Sequence, residues 1–330
     1  DTPFPQFGVA AGLAAVGVVV RGITEEETRR LRFYEGGFDF DLRAVSVDLE
    51  NGGSVRAQVF YPACDHAPSE RPWSLTEWQR DWSEISVCAA VEVMAWYGRM
   101  TTADVAFAFP GFRRRASALV AGRNRPSDPE RDLSRDVIET AHHHPYAKFF
   151  SLQEIDVQVR QYDGGMSDVL NRAAVLVGEA AVVLPYDPVR DCVLLVEPFR
   201  APVFMAGDPA PWIWEPVAGL LEPGEAAETA ARREALEETG LTIGRLESAG
   251  EMYSSTGSST EYLHLFVGFA DLGGDITGTG GTDEGEDIRS QVISYEALMQ
   301  GVDGGRYKDM PLVTTALWLA RHRDRLRGST

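Results

Sequence analysis

The sequence predicts a mixed α/β protein: a small α+β domain, then a helical connection, then a layered α/β/α sandwich. Three observations carry that expectation. The chain has 330 residues, and a single core rarely grows past about 250–300 residues, so more than one domain is expected. Two separate stretches, residues 42–61 and 149–269, alternate apolar and polar side chains with the period of strands, and helix-period segments lie between and after them. The composition, 44% hydrophobic and 25% charged, is that of an ordinary globular protein.

The elements are expected in the following order. Residues 24–31 are polar and helix-like. Residues 42–49 and 54–61 read as strands, with Asn51, Gly52 and Gly53 as the hairpin turn. Composition changes at Pro72, and Ser74-Leu-Thr-Glu77 is a capping box that announces a helix to about residue 97. A second helix is expected near Thr102, then an exposed connection over 123–135. His142, His143 and His144 are adjacent; on a helix they would point about 100° apart and could not face one ion, so they are expected in a polar surface turn before Pro145. Further strands are expected at 157–162, 173–177, 181–185, 192–196, 251–253 and 262–269, and helices at 226–238 and 313–323. The expected domains are therefore residues 1–70, 71–148 and 149–330.

Charge and cysteine content narrow the function. Lys and Arg number 31 against 50 Asp and Glu, a net of −19. Nucleic-acid and anionic-membrane partners need a basic footprint, so neither is expected. The three cysteines, Cys64, Cys88 and Cys192, show no metal-type spacing and fit a reducing compartment. The apolar run over residues 7–20 is too short to span a bilayer, and no basic segment precedes it. A cytoplasmic location is expected.

The chemistry concentrates in Gly219-Leu-Leu-Glu-Pro-Gly-Glu225-Ala-Ala-Glu-Thr-Ala-Ala-Arg-Arg233-Glu234-Ala235-Leu-Glu237-Glu238-Thr-Gly240-Leu241. Pro223 and Gly224 break the preceding loop, an alanine-rich helix follows, and Gly240 is placed to end it in the left-handed conformation. At 100° per residue, Glu234, Glu237 and Glu238 share one face about 100° wide. Such crowding is mildly destabilising, and hard divalent cations with oxygen ligands offset it naturally. Arg233 lies four residues before Glu237 and can pair with it. Taken alone, Glu-x-x-Glu-Glu describes an acidic solvent-facing helix; the full string is far more specific.

That string resembles the Nudix box, G-x5-E-x7-R-E-U-x-E-E-x-G-U with U a bulky aliphatic, departing only in the small Ala235. The resemblance extends to the ADP-ribose pyrophosphatase type through Asp163-Gly-Gly-Met-Ser167, Val193-Leu-Leu-Val-Glu-Pro-Phe-Arg200, Glu215-Pro-Val-Ala-Gly219, Tyr253-Ser-Ser-Thr-Gly-Ser-Ser-Thr-Glu261 and Asp283-Glu-Gly-Glu-Asp-Ile288. Pro198 stands where that type has glutamine, and Thr256 where it has proline. The resemblance implies Mg²⁺ or Mn²⁺, with the Ala218 carbonyl, Glu234, Glu238 and Glu286 as metal ligands. It implies Glu237 as ligand or orienter, Glu284 as general base, and Arg200 and Glu261 as contacts to the substrate's phosphate and ribose. The implied reaction cleaves ADP-ribose or a related ADP-sugar to AMP and a sugar phosphate, and a homodimer is implied by analogy. The rival readings are a pyrophosphatase for another nucleoside diphosphate derivative, a non-catalytic nucleotide sensor, and a γ-glutamyl-processing enzyme carrying an appended Nudix module.

Arg32-Phe-Tyr-Glu-Gly-Gly-Phe38 resembles a segment of the γ-glutamylcyclotransferase-like (AIG2-like) fold, a small barrel in which Glu35 would match the catalytic acid. That family's Tyr-Gly-Ser/Thr-Leu loop has no counterpart, so a domain lacking its first strand, with Glu35 structural, is expected, and no cyclotransferase activity. The pairing of such a barrel with a Nudix domain is similar to bacterial tellurite-resistance Nudix proteins.

Overall fold

The computed structural model describes residues 16–63, 73–274, 279–280 and 287–328. In chain order the elements are α1 (Glu25–Glu35), β1 (Phe40–Asp48), β2 (Ser54–Pro62), α2 (Leu75–Met94), α3 (Thr102–Arg123), α4 (Leu133–Asp136), β3 (Val137–Ala147), β4 (Ser151–Val159), β5 (Leu170–Leu176), β6 (Glu179–Asp187), β7 (Cys192–Glu197), α5 (Ala201–Met205), β8 (Val217–Leu220), α6 (Ala227–Thr239), β9 (Leu246–Tyr253), β10 (Tyr262–Phe269), β11 (Thr279–Gly280), β12 (Ile288–Ser294), α7 (Tyr295–Asp303) and α8 (Met310–Arg327). They fall into two compact units, Asp1–Ala173 and Ala174–Thr330. The expected boundary at residue 149 falls between β3 and β4, which pair with each other.

In the first unit, Thr24 and Glu27 close a reciprocal capping box on α1. β1 and β2 form the expected antiparallel hairpin, in register from Phe40↔Pro62 to Asp48↔Ser54. The described residues do not close into the expected small barrel: this sheet has two strands and is open. Half-buried and exposed positions alternate along most of both strands, with a break at Arg43 and Ala44 in β1 and with Val59 to Pro62 of β2 all covered. Burial holds the Glu35 carboxyl above the ordinary range.

Ser74 caps α2 by accepting from the Glu77 N–H, and Thr101 with Asp104 forms a capping box on α3. Val93 and Trp96 meet Val105, Phe109 and Phe112 in a core that also takes in Phe33 of α1. Within it Arg115 of α3 and Glu92 of α2 form a buried ion pair, Nε to Oε1 at 2.9 Å.

The remaining sheet has the order β3-β4-β5. His142, His143 and His144 lie in β3 and not in a surface turn. β3 is an edge strand with register irregularities at Glu139/Ala141 and His143/Tyr146. Edge position and bulges are what allow Pro145, which has no N–H to give, inside a strand.

The second unit is the expected α/β/α sandwich. Its open sheet runs β11-β12-β7-β6-β10-β9, with β8 paired to β6. β6 and β10 are parallel, Glu179 opposite Tyr262 through Tyr186 opposite Phe269, and the other pairs are antiparallel. Because strand side chains alternate, Ala181, Val183, Leu194, Val196 and Phe266 face α6, while Leu184, Tyr186, Val193, Leu195 and Val267 face α7 and α8. No helix among the described residues is long and apolar enough to cross a membrane. Cys88 and Cys192 are free thiols, and Cys64 lies outside the described residues.

Candidate active site

The site is built on β8, the turn after it and α6. β8 pairs antiparallel with β6, placing Ala218 opposite Val182 and Gly219 opposite Ala181. Gly224, at a φ of +80°, turns the chain into α6, and Gly240 ends the helix left-handed at a φ of +69°. Ala230, Ala231 and Ala235 are fully buried against the sheet. This explains the departure at Ala235: a methyl group at that position lets the helix lie close to β6 and β8.

Close approach also explains Gly219. A Cβ added there would overlap the Glu234 carboxylate, so the absence of a side chain on β8 is what admits the glutamate. Glu234 and Glu238, one turn apart, are both buried. Glu237 keeps about half of its side chain exposed, 53%.

Arg233 ties the cluster together. Its Nε donates to Glu225 Oε1 at 3.0 Å, and Nη2 donates to Glu225 Oε2 at 3.0 Å and to the Leu220 carbonyl at 3.2 Å. Nη1 donates to Glu234 at 2.7 Å and Glu237 at 3.0 Å. The expected Arg233–Glu237 pair is thus present, as one of several bonds. The Glu225 hydrogen bonds are the largest influence raising the Arg233 pKa, so the guanidinium is permanently charged. Burial pushes the Glu225 carboxyl up, but Arg233 and the Glu222 N–H outweigh it and hold Glu225 below its ordinary value. Glu225 was not among the residues expected to act; it sits eight residues before Arg233, beyond the reach of helix-spacing arguments.

A second cluster gathers in the same unit. Arg200 grips Glu215 in a forked pair, Nε at 3.0 Å from both oxygens and Nη2 at 2.6 Å from Oε2. Bridges Phe199↔Trp212 and Val196↔Glu215 close the excursion that carries α5 and bring Arg200 back over Glu215. Glu261 is half-buried where the 254–261 loop closes, Ser254 N–H donating to its carbonyl at 3.1 Å. Asp309 caps α8, accepting from the Leu312 N–H at 2.8 Å. Burial pushes the Asp309 carboxyl up to about 7; Glu215 and Glu261 add to this, while the Leu312 N–H and Arg200 oppose it. The structure therefore brings Arg200 and Glu261 near the same carboxyl. Glu215 and Asp309 complete the group, and neither was singled out as a site residue. An aspartate three residues before Leu312 is visible as a helix cap; its nearness to Glu215 and Glu261 is tertiary.

Glu284 and Glu286 lie outside the described residues. Among the described residues, no group of three or more His, Cys, Asp or Glu side chains is arranged to hold a metal ion. What is present is a pair of buried carboxylates on one helix turn, Glu234 and Glu238, one seated in the space that Gly219 leaves. An all-oxygen donor set of two carboxylates fits Mg²⁺ or Mn²⁺, which take one or two carboxylates and fill the remaining positions with water and substrate oxygens.

The sequence pattern of the NUDIX domain matches residues 177–311. The ADP-ribose pyrophosphatase of Escherichia coli (strain K12) is 38% identical over 183 residues, covering 56% of this chain and 87% of that protein. The ADP-ribose pyrophosphatase of Haemophilus influenzae is 33% identical over 186 residues, covering 56% and 86%. The GDP-mannose pyrophosphatase of Cronobacter sakazakii is 31% identical over 169 residues, covering 50% and 85%. The chain belongs to the Nudix family, and it is a hydrolase of that family. All three of these matches exceed the length of the second compact unit, so they also take in residues of the first.

Proposed function

We infer that the protein hydrolyses the pyrophosphate bond of ADP-ribose or a related ADP-sugar, releasing AMP and a sugar phosphate, with Mg²⁺ or Mn²⁺ and as a homodimer. The observation that carries the chemistry is Glu234 and Glu238 buried on one turn of α6, with Arg233 fixing the helix face and Gly219 making room. Two relatives named as ADP-ribose pyrophosphatases support the substrate class. The Ala218 carbonyl, Glu234, Glu238 and Glu286 hold the cation, with Glu237 as a further ligand or orienter. A divalent cation, when bound, neutralises the pyrophosphate and makes its water a better nucleophile. Glu284 takes the proton from the attacking water. Arg200 and Glu261 bind the phosphate and ribose, and the forked pair with Glu215 sets the plane in which the guanidinium meets a phosphate.

The relative named as a GDP-mannose pyrophosphatase favours a second reading, a different nucleotide sugar. A panel of ADP-ribose, other ADP-sugars, dinucleotide cofactors and GDP-mannose, each with Mg²⁺ and with Mn²⁺, separates the two. The expected result is metal-dependent AMP release, greatest from ADP-ribose or a close ADP-sugar. Preferential GMP release would give the second reading. Saturable binding of ADP-ribose with no turnover of any substrate would make the protein a sensor.

A further inference from the structure

The first unit contains an open cavity of about 540 Å³ whose lining includes Arg99, His142, His143, His144 and Glu154. Four of the lining groups carry or can take up positive charge, against one lining carboxylate. Arg99 is preorganised: its guanidinium lies over the Trp96 ring at 4.3 Å, and Nη2 donates to the His144 carbonyl at 2.8 Å. Its Nε and Nη1 make no hydrogen bond among the described residues. The His142 and His144 rings stack, centroids 4.6 Å apart and 9° from parallel. His142 is held through Nε2 by Gln153 at 2.7 Å. His144 Nδ1 is buried and has no hydrogen-bond partner among the described residues. Buried polar atoms in native proteins are nearly always paired, so the orphaned Nδ1 leaves the His144 ring with an unmet hydrogen bond that a small turn toward an acceptor in the cavity would satisfy. Rings stacked face to face do not converge their nitrogens on one point, and no metal-holding group occurs among the described residues.

We propose that this cavity binds a small phosphate monoester, such as a sugar phosphate. A phosphate dianion carries three acceptor oxygens, which match the open edge of the Arg99 fork and an N–H of a lining imidazole. Glu154 accepts from a hydroxyl of the esterified sugar. None of these residues belongs to α6 or to the Arg200 cluster.

The surrounding charges give the site a pH dependence. Burial lowers the His144 pKa, and His142, Arg99 and His143 lower it further. A bound dianion opposes those three cationic influences, so binding draws a proton onto His144 and tightens as pH falls through the histidine range. Carboxylates act in the other direction from each neighbouring element: Glu139 lies 3.3 Å from His142, Asp156 lies 3.7 Å from His143, and Glu92, paired with Arg115, acts on His142 from α2.

The test is calorimetric titration of the full chain, in EDTA, with ribose 5-phosphate, inorganic phosphate and ribose, at about pH 6 and about pH 8, either side of the ordinary histidine pKa. Saturable binding of the two phosphates but not of ribose is expected, tighter at the lower pH. Arg99→Ala and His144→Ala should each weaken it about 10- to 100-fold, the effect of losing one charge-assisted hydrogen bond, while Arg99→Lys recovers part of the loss. Nudix turnover should not change in Arg99→Ala, and the variant should still unfold cooperatively, losing only the contacts to the Trp96 ring and the His144 carbonyl. The proposal is overturned if the wild-type chain shows no saturable phosphate binding, if ribose binds as tightly as its phosphate, or if both alanine variants bind like wild type. Saturable binding of Zn²⁺ with none of phosphate would also overturn it.

Discussion

Gly219 and Arg233 fix where the glutamates of α6 can be, and both act through distances too short for compromise. Gly219→Ala must displace the Glu234 carboxylate, and a misplacement of about 1 Å at a reacting centre costs about 100-fold in turnover. The expected result is that fall in kcat at saturating Mg²⁺ with a native unfolding profile; wild-type kcat would remove Glu234 from the metal set. Glu284 and Glu286 should separate by role. Glu284→Gln should lower kcat by about 10²–10⁴-fold with little change in metal affinity, whereas Glu286→Gln should weaken metal binding. Equal losses of metal affinity in both, with kcat restored at saturating metal, would show that the two do not divide base from ligand. Helix spacing was enough to place Glu234, Glu237 and Glu238 on one face and to pair Arg233 with Glu237. It was not enough to find Glu225 holding the other edge of that guanidinium, because the turn at Gly224 brings them together and a turn's reach is not periodic.

α6 and α8 show two ways a helix end is used. Gly240 stops α6, as its position after an alanine-rich run indicated. Asp309 starts α8, and there the cap carries a charge into a half-buried site already occupied by Glu215. An aspartate whose folded pKa is raised to about 7 binds its proton more tightly in the folded than in the unfolded chain. Its contribution to stability is fully present below the unfolded pKa and is lost as pH rises toward about 7. Asp309→Asn keeps a competent cap, since asparagine serves there about as well as aspartate, and removes the charge. It should therefore raise the unfolding temperature above neutral pH and flatten the decline between about pH 4 and pH 7, the span between the ordinary aspartate value and the shifted one. An unchanged pH profile would show that Asp309 is not the group responsible. The elements that strand and helix periods exposed, such as the β1–β2 hairpin, α2, β10 and α8, were legible. β8 and β12 were not: one is four residues long, and the other gains its partner, β7, from a distant part of the chain. The histidines of β3 were misjudged because Pro145 marks a turn in isolation, and only the edge position of the strand makes it admissible.

Each compact unit has its own buried core: aromatic and helical in the first, split across the two faces of a sheet in the second. Units with separate cores can unfold separately. Scanning calorimetry is expected to resolve two transitions. A non-hydrolysable methylene analogue of ADP-ribose with Mg²⁺ should raise the transition of the second unit, by about 2.7 kcal/mol at a hundredfold excess over its Kd. A single transition, unmoved by the analogue, would contradict both the independence of the units and the placement of the site. At this scale the α/β/α sandwich was readable from alternating strands and helices, whereas the barrel expected at the start of the chain was not formed by the described residues, since a short motif such as Arg32–Phe38 does not specify how many strands gather around it.

The alanine seam of α6 has a consequence for how this protein can change. Ala230, Ala231 and Ala235 have no exposed surface, so each added methylene must lift the helix from β6 and β8 and carry the carboxylates with it. Leu236, on the same helix, is 56% exposed and faces no such limit. A saturation library over α6 scored for activity should therefore be sharply two-sided. Nearly every replacement at the three alanines should be lost from the active pool, larger residues before serine or glycine, while position 236 accepts polar and apolar residues alike. Drift in this helix is then channelled to its outer surface, and the spacing between helix and sheet is inherited almost unaltered.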